Sequence, residues 1–308
     1  MRHKSFSIWQ FVAAPRVEQI LLPLPDGSTA ETNLLRLDDV HPHLSGNKFF
    51  KLLPNLHAAQ ASGCGGLLTF GGAYSNHIHA TAAAGYEMAI ATVGIIRAEP
   101  SAINNPTLTD AERWGMDLHF VDRTTYRRRH DASYLAHLAK QFPGFWVIPE
   151  GGSNPYALEG CRQLGSFIST LAFHHIVLAC GTGSTALGIS QGVGVDQRVH
   201  AVAVLTGLKR EQQRLQDAGV VFHNAYVGAG YAVITSALAD FIRRFERLNK
   251  VSLDPVYTAK MALAASELIA SGALAAERTL LVHTGGIQGR RSMQEQLEAF
   301  WRNNPACT

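Results

Sequence analysis

The sequence has few cysteines, and none has the spacing of a disulfide framework. Its 308 residues contain only Cys64, Cys161, Cys180 and Cys307, with no CxxC pair. Small secreted domains are dense in disulfides, whereas proteins of the reducing cytoplasm keep their thiols free. We therefore expect a cytoplasmic protein.

An excess of charge of one sign and long apolar runs are also missing. The 27 Lys and Arg residues nearly balance 24 Asp and Glu residues, and the densest basic cluster, 127–130, is too small to indicate nucleic acid. No apolar run is long enough to span a membrane, and Gln10 interrupts the short apolar patch near the N-terminus, which makes a poor signal peptide. Neither a nucleic-acid partner nor a membrane is expected.

Metal and nucleotide signatures are absent too. His77 and His79 alternate as some zinc ligands do, but no cysteine or carboxylate has the matching spacing, so no metal is predicted. The glycine-rich stretch 179–188, ACGTGSTALG, lacks the lysine that ends a P-loop, and no well-placed acidic residue follows for a dinucleotide ribose. ATP and NAD are both disfavoured.

Apolar runs of strand length recur along the chain, each followed by glycine or a polar turn and then by a helical pattern. Because these runs are continuous rather than alternating, they predict parallel sheets covered on both faces, and hence the α/β class. The stretch 21–33 predicts a hairpin through Asp26–Gly27. The predicted strands are 66–72, 89–96, 117–122, 145–152, 175–183, 200–205 and 279–286.

The stretch 179–188 is the strongest single motif. It follows the apolar strand HIVLA and opens a helix through Ser184 and Thr185, so that successive backbone N–H groups converge on one point. This arrangement predicts a phosphate cup. The alternative is a glycine-rich turn that serves only close packing of a helix on a sheet.

Polar side chains follow other strands. Ser75, Asn76 and His77 begin a helix after the strand 66–72, although taken alone Ser and Asn are favoured there as helix caps. Tyr257 and Thr258 stand in the first turn of a helix after the Asp254–Pro255 turn, and taken alone Tyr257 is a core residue. Thr284 ends a strand at two glycines.

Two lysines begin the helix in HLSGNKFFKLLPNL, residues 43–56. Lys48 and Lys51 are three residues apart and therefore lie on one helical face, beside Phe49 and Phe50. A lysine among apolar neighbours loses proton affinity, and a neutral amine is a nucleophile. The pair indicates either a Schiff-base lysine or a solvated helix end.

A nucleophilic lysine, a phosphate cup without a nucleotide signature and polar donors at strand ends together suit an aldehyde cofactor that carries a phosphate, namely pyridoxal phosphate. The sequence also resembles the 1-aminocyclopropane-1-carboxylate deaminase and D-cysteine desulfhydrase family, within the tryptophan-synthase-β-like group of pyridoxal-phosphate enzymes. Seven blocks occur in the family's order, which are LLRLDDVHPHLSGNKFFKL, FGGAYSNH, PEGGSNPYALEG, GTGSTALG, YVGAGYA, LDPVYTAKM and LVHTGG.

The resemblance implies a role for each matched residue. Lys48 would form the Schiff base with the cofactor, and Lys51 would lower the proton affinity of Lys48. Asn76 would contact the ring hydroxyl, whereas Ser75, Asn76, His77 and Lys51 would contact the substrate. Tyr257 and Tyr231 would lie near the reacting centre. The cofactor-binding set is completed by Gly181, Thr182, Gly183, Ser184 and Thr185 for the phosphate, and by Thr258 and Thr284 for the ring.

Three positions favour the desulfhydrase branch of the family. The deaminases have glutamate, leucine and glutamine where this chain has Thr258, Thr284 and His77. A neutral hydroxyl holds the pyridine nitrogen protonated less firmly than a carboxylate does, so the cofactor would be a weaker electron sink. Elimination of a thiol from D-cysteine, through aminoacrylate to pyruvate and ammonia, manages with a weaker sink than cyclopropane opening requires.

The alternatives are the cyclopropane deaminase itself, a dehydratase-like or racemase activity, and a catalytically silent pyridoxal-phosphate-binding protein. The resemblance implies two open, twisted, mainly parallel sheets flanked by helices. It also implies a small domain, 49–158, inserted into a large cofactor-binding domain of 1–48 and 159–308, with the cofactor between them, and a homodimer. The bulky Phe49–Phe50 pair and the short segment before Arg36 depart from the family pattern.

Overall fold

The structure is a computed structural model that describes residues 13–228, 230 and 232–303. The chain divides into two compact units, of which one contains Val40–Ala157 and the other contains Pro15–Asp39 and the chain from Leu158 onward. The inserted domain implied by the resemblance, 49–158, begins after Lys48, whereas the division by contacts places Lys48 in the same unit as the helix that it begins. The domain boundaries stay a prediction.

The described residues form strands and α-helices that alternate along most of the chain. The strands are β1 (Arg16–Pro23), β2 (Thr29–Arg36), β3 (Gly66–Gly72), β4 (Ala91–Arg97), β5 (Met116–Val121), β6 (Phe145–Ile148), β7 (His175–Cys180), β8 (Arg198–Ala203), β9 (Val221–His223) and β10 (Thr279–His283). The helices are α1 (Asn47–Ala61), α2 (Asn76–Met88), α3 (Pro106–Arg113), α4 (Arg123–Arg127), α5 (Ala132–Gln141), α6 (Pro155–Ser169), α7 (Ser184–Ser190), α8 (Lys209–Asp217), α9 (Ser236–Asn249), α10 (Thr258–Ala270), α11 (Ile287–Arg290) and α12 (Gln294–Asn303).

The Val40–Ala157 unit is built on a four-stranded parallel sheet of order β5-β4-β3-β6. Adjacent residues of β3 serve opposite faces, because Leu67 packs among α1 and α2 whereas Leu68 packs against α5. Both faces are thus covered, which explains why the whole of β3 except its last residue is buried.

The second unit contains a six-stranded sheet of order β1-β2-β10-β7-β8-β9. Only the β1–β2 pair is antiparallel, and every other neighbouring pair is parallel. Helices α9 and α10 cover one face. The buried residues of α9 recur at helical spacing and join the main core with Val177 and Val202 of the sheet; they are Leu238, Ala239, Phe241, Ile242 and Phe245.

The α/β class and the two separate, mainly parallel sheets predicted from sequence are confirmed. The predicted hairpin is also confirmed, since β1 and β2 are joined by a turn in which Gly27 has a positive φ of 92°. Four predicted strands end two or more residues early, namely those observed as β6, β7, β8 and β10. Strand β6 stops at Ile148 because Pro149 and the left-handed Gly151 and Gly152 follow, and β7 stops at Cys180, before the glycine-rich turn.

Two further observations concern ligands and membranes. Within residues 13–228, 230 and 232–303, no helix is both long and apolar enough to cross a bilayer. The same ranges contain no group of three or more histidine, cysteine or acidic residues arranged to hold a metal ion.

Candidate active site

Both lysines of the first motif lie on α1, but they have different surroundings. Gly46, with a φ of 70°, precedes the helix, and the half-buried Lys48 stands in its first turn with Nζ 3.4 Å from Asn47 Oδ1. The side chain of Lys51 turns inward. Only 2% of Lys51 is exposed, and its Nζ donates a hydrogen bond of 3.1 Å to the carbonyl of Gly151. A solvated helix end is therefore the wrong interpretation for Lys51.

Ser75 is the N-cap of α2, as its residue type predicts. Its Oγ accepts long hydrogen bonds from the backbone N–H groups of His77, at 3.3 Å, and Ile78, at 3.4 Å. Gly71, near the end of β3, is required for this packing, since a Cβ there would stand 2.7 Å from Ser75 Oγ. The hydroxyl accepts in both of these bonds, so its proton is available for donation to a ligand.

His77 is the most unusual side chain of this unit. The residue is 1% exposed, and neither ring nitrogen has a hydrogen-bond partner among the described residues. Burial, with the positive charges of Lys48 and Lys51 adding to it, lowers the pKa of His77 well below its usual 6.5, so the imidazole is neutral. A buried polar ring without protein partners indicates a site for a polar ligand.

The Gly151–Gly152 pair faces the same place. Both residues have left-handed backbones, and a Cβ at Gly152 would stand 3.1 Å from His77 Cε1. The pair thus allows the chain to approach His77 and Lys51 closely. The sequence alone gives this motif no role, because its partners Lys51 and His77 are far away along the chain.

The predicted phosphate cup lies in the other unit, at the carboxyl end of β7. Gly183 has a φ of 77°, and the following residues Ser184 and Thr185 are 4% and 6% exposed. The hydroxyl oxygens of Thr182 and Ser184 are 3.4 Å apart. Close backbone turns and buried hydroxyls suit an anionic group.

Arg214 was missed by the sequence analysis. From α8 its Nη2 donates a hydrogen bond of 2.9 Å to the carbonyl of Thr182, and the same nitrogen is 3.1 Å from the Cβ position of Gly183. It brings a positive charge to the cup. Nothing in the polar helix sequence KREQQRLQD distinguishes Arg214 from its neighbours, so no sequence signal would have found it.

Asp254 organises the start of α10. Its Oδ1 accepts hydrogen bonds from the backbone N–H groups of Val256, at 3.1 Å, and Tyr257, at 2.5 Å. Burial raises the pKa of Asp254 to about 7, against the opposing effects of these hydrogen bonds and of Arg290. The side chain of Tyr257 packs on Gly181, with its Cε1 at 3.4 Å from the Cβ position there.

Thr258 and Thr284 are both buried but differ in their bonding. The Thr258 hydroxyl accepts a hydrogen bond of 2.7 Å from the backbone N–H of Asp254 and donates one of 3.3 Å to the Asp254 carbonyl. Its only proton is therefore used within the turn. Thr284 follows β10 and is 8% exposed, before two glycines with positive φ.

The predicted site residues thus fall into two sets. Lys48, Lys51, Ser75, Asn76 and His77 belong to the first unit, and the cup, Tyr257, Thr258 and Thr284 belong to the second. Tyr231 lies outside the described residues.

Comparison with known proteins identifies the chemistry. The family model described as pyridoxal-phosphate dependent enzyme matches residues 20–285. The chain belongs to this family. Its cofactor is pyridoxal phosphate, and each unit taken by itself has residues that suit that molecule. The first unit offers a lysine and a buried imidazole without a partner among the described residues, and the second offers a glycine-rich turn with buried hydroxyls. Lys48 and the turn 181–185 are the residues suited to bind its aldehyde and its phosphate.

Individual relatives are similar over most of their length. The bifunctional D-cysteine desulfhydrase/1-aminocyclopropane-1-carboxylate deaminase of Arabidopsis thaliana is 29% identical, over 91% of this chain and 78% of that protein. The D-cysteine desulfhydrase of Yersinia enterocolitica is 27% identical, over 82% and 86%. The crystal structure of an ACC deaminase homologue superposes with a TM-score of 0.81 at 25% identity, covering 94% of both chains.

Proposed function

We propose that this pyridoxal-phosphate enzyme is a lyase that eliminates the thiol of D-cysteine. The overall reaction is D-cysteine and water to pyruvate, hydrogen sulfide and ammonia, which balances without an added oxidant or reductant. The relatives from Arabidopsis and Yersinia, both of which carry D-cysteine desulfhydrase in their names, support this substrate. The Arabidopsis relative also supports 1-aminocyclopropane-1-carboxylate as the alternative substrate.

The proposed roles follow the surroundings of each residue. Lys48 binds the cofactor covalently, and the 181–185 turn, with Arg214 behind it, binds the phosphate. Asn76 contacts the ring hydroxyl. Ser75 donates a hydrogen bond from its hydroxyl to the substrate carboxylate, and the neutral His77 and the buried Lys51 complete the polar surroundings of the substrate. Tyr257, together with Tyr231, assists proton transfer.

Bound pyridoxal phosphate supplies an electron sink that stabilises negative charge at the substrate Cα. With the cofactor bound, the amine of Lys48 would act as the general base that takes the Cα proton. The electron pair left on Cα forms the Cα–Cβ double bond as the Cβ–S bond breaks, and the sulfur leaves as thiolate. Water then releases pyruvate and ammonia.

The observation that carries the choice of substrate is the side chain at position 258. Thr258 has a buried hydroxyl that is bonded to the Asp254 backbone, and the resemblance to the deaminases implies a glutamate at this position that acts on the pyridine nitrogen. Without a carboxylate there, the cofactor is a weaker sink. Removal of the acidified α-proton of D-cysteine requires a weaker electron sink than opening the cyclopropane ring of a substrate that has no α-hydrogen.

The test is keto-acid release by the cofactor-loaded protein offered D-cysteine, L-cysteine and 1-aminocyclopropane-1-carboxylate in parallel. We expect pyruvate and sulfide from D-cysteine and no 2-oxobutyrate from the cyclopropane. K48A should lose at least a thousandfold in rate and lose the absorption band of the lysine-bound cofactor, whereas K140A, at an exposed lysine of α5, should retain both. Turnover of the cyclopropane alone would refute the proposal and favour the deaminase.

The quaternary state and the cellular location belong to the same proposal. We expect a homodimer, since two-fold dimers are the commonest oligomers of soluble enzymes. Among the described residues Cys64, Cys161 and Cys180 form no disulfide, which suits the reducing cytoplasm. Sedimentation equilibrium of the holoenzyme tests the dimer, and fractionation of cells that express the full chain tests the location.

A further inference from the structure

A buried lysine on α10 contacts the segment that follows β9. Lys260 is 3% exposed, and its Nζ donates hydrogen bonds of 2.7 Å to the carbonyl of Val227 and 2.9 Å to the carbonyl of Gly230. Gly230 has a φ of 129°, a conformation open to glycine and strained for other residues. The ammonium of Lys260 therefore binds two backbone carbonyls that lie three residues apart in the chain.

A second contact lies further along the same face of α10. The hydroxyl of Tyr226 is hydrogen-bonded to Glu267, and burial together with this carboxylate raises the pKa of the phenol. Lys260 and Glu267 are two helical turns apart and lie on one face. Residues 226–228 and 230, referred to below as the Tyr226–Gly230 segment, are thus attached to α10 at an exposed position, Glu267, and at a buried one, Lys260.

The buried attachment is energetically demanding, which argues for a specific purpose. Burial lowers the pKa of Lys260, and the nearby carboxylate of Asp254 opposes that effect. An apolar side chain of similar length would fill the same space without a desolvation penalty. What an apolar residue cannot do is bind two carbonyl groups and so hold the backbone in one conformation.

The Tyr226–Gly230 segment follows the carboxyl end of a strand in the six-stranded sheet. Strands β7, β8, β9 and β10 are parallel neighbours in one sheet, so their carboxyl ends share one edge. The 181–185 turn leaves this edge after β7, Thr284 leaves it after β10, and the Tyr226–Gly230 segment leaves it after β9. Ligands of open α/β sheets bind at such edges.

We propose that Lys260 is a positioning residue, which fixes the Tyr226–Gly230 segment at the carboxyl edge of the sheet for the reaction. This inference rests on the proposed function in one respect, because the reaction supplies its kinetic readout. Both hydrogen bonds of its Nζ go to backbone carbonyls, so Lys260 acts through the backbone that it binds.

The experiment compares K260M with the matched control K140M, an exposed lysine of α5, as full-length holoenzymes. Hydrogen exchange is measured by mass spectrometry on peptides that cover 224–235. We expect faster exchange there in K260M alone, with unchanged cofactor content, and a fall of about tenfold or more in kcat/KM for D-cysteine. Unchanged exchange, or faster exchange with unchanged kcat/KM, overturns the proposal.

A coupling measurement separates positioning from a general loss of stability. Tyr231 follows Gly230 in the sequence, so the Y231F substitution should reduce kcat much less in the K260M background than in the wild type. Additive effects contradict the proposal. If K260M does not fold, K260R, which keeps the charge but displaces the two carbonyl contacts, is measured in the same way.

Failure of the proposed function would give a different result. If D-cysteine is not the substrate, the wild-type holoenzyme releases no pyruvate, while the exchange difference between K260M and K140M remains. The kinetic comparison is then made with whichever amino acid the keto-acid assay identifies.

Discussion

The phenol ring of Tyr257 lies against the backbone of Gly181. A Cβ built at Gly181 would stand 3.4 Å from Tyr257 Cε1 and 3.9 Å from the hydroxyl oxygen. The tyrosine that precedes α10 and the turn that follows β7 are therefore packed together. Asp254 accepts a hydrogen bond from the backbone N–H of Tyr257. The backbone of Tyr257 is therefore bound by Asp254, and its ring packs on Gly181.

The G181A substitution tests this packing. The added methyl group would meet the ring at 3.4 Å, an ordinary van der Waals contact, so we expect Tyr257 to keep its position and kcat for D-cysteine to change little. The control is G194A, since a Cβ at Gly194 would make only ordinary contacts, the nearest at 3.7 Å to Gln197 Oε1. A clear loss of activity in G181A but not in G194A would contradict this expectation and would show that the space between Gly181 and the ring is needed for the reaction.

The two threonines can be distinguished by paired substitutions. T258V removes the hydroxyl that satisfies the Asp254 backbone, so the free energy of unfolding should fall by about 1–3 kcal/mol in urea titrations. T284V should leave stability nearly unchanged but alter the cofactor absorption spectrum and lower kcat. If T258V instead changes the spectrum without loss of stability, Thr258 rather than Thr284 acts on the pyridine ring.

Arg214 is expected to strengthen cofactor binding. The R214M substitution removes a charged hydrogen bond to the Thr182 carbonyl and a positive charge beside the cup, so the Kd for pyridoxal phosphate should rise about tenfold. R210M, at an exposed arginine of the same helix, serves as control. Equal Kd values for the two variants, measured by equilibrium titration of apoprotein, would exclude a role for Arg214.

Three histidines form a hydrogen-bonded chain across β7, β8 and β9. His175 Nδ1 is 3.0 Å from His200 Nε2, and His200 Nδ1 is 3.1 Å from His223 Nε2. Burial lowers the pKa of all three, with neighbouring positive charge adding to it at His175 and His200. It lowers the pKa of His200 to about 4. The chain is satisfied by neutral rings, since each of them offers one donor and one acceptor.

This chain predicts acid sensitivity. The unfolded chain binds a proton at each histidine below pH 6.5, whereas folded His200 does so only near pH 4. The contribution of neutral His200 to the free energy of unfolding is therefore fully present above pH 6.5 and is lost as the pH falls toward 4. We expect H200Q to flatten the decline of unfolding free energy over this interval, and the exposed-site control H137Q to leave it unchanged. A wild-type decline retained in H200Q would contradict this assignment.

Local sequence pattern was sufficient to predict most strands and helices and the candidate site residues themselves. Continuous apolar runs predicted the buried parallel strands, and glycine and Ser75 marked the starts of α1 and α2. Each of these features depends on neighbours within a few residues, which is the distance over which propensity and capping act.

The partners of those residues could not be predicted in the same way. Lys51 binds the Gly151 carbonyl, Arg214 binds the Thr182 carbonyl, and Lys260 binds carbonyls that precede it by about thirty residues. Each contact joins different elements, and the residue type alone is equally compatible with a solvated surface. Thr258 differs from these residues, because its partner is local. Its hydroxyl donates to the carbonyl of Asp254 in its own turn and is therefore not available to a ligand.

The amino-acid sequence by itself determined the α/β class through periodicity and turn chemistry, and its local motifs pointed to the cofactor. The family resemblance of these motifs then implied Lys48 as the candidate attachment point. Tertiary structure alone decided which polar groups are buried, which of them have protein partners, and that His77 is a neutral ring without one. The physical reason is that desolvation and long-range hydrogen bonding arise only when distant segments pack together.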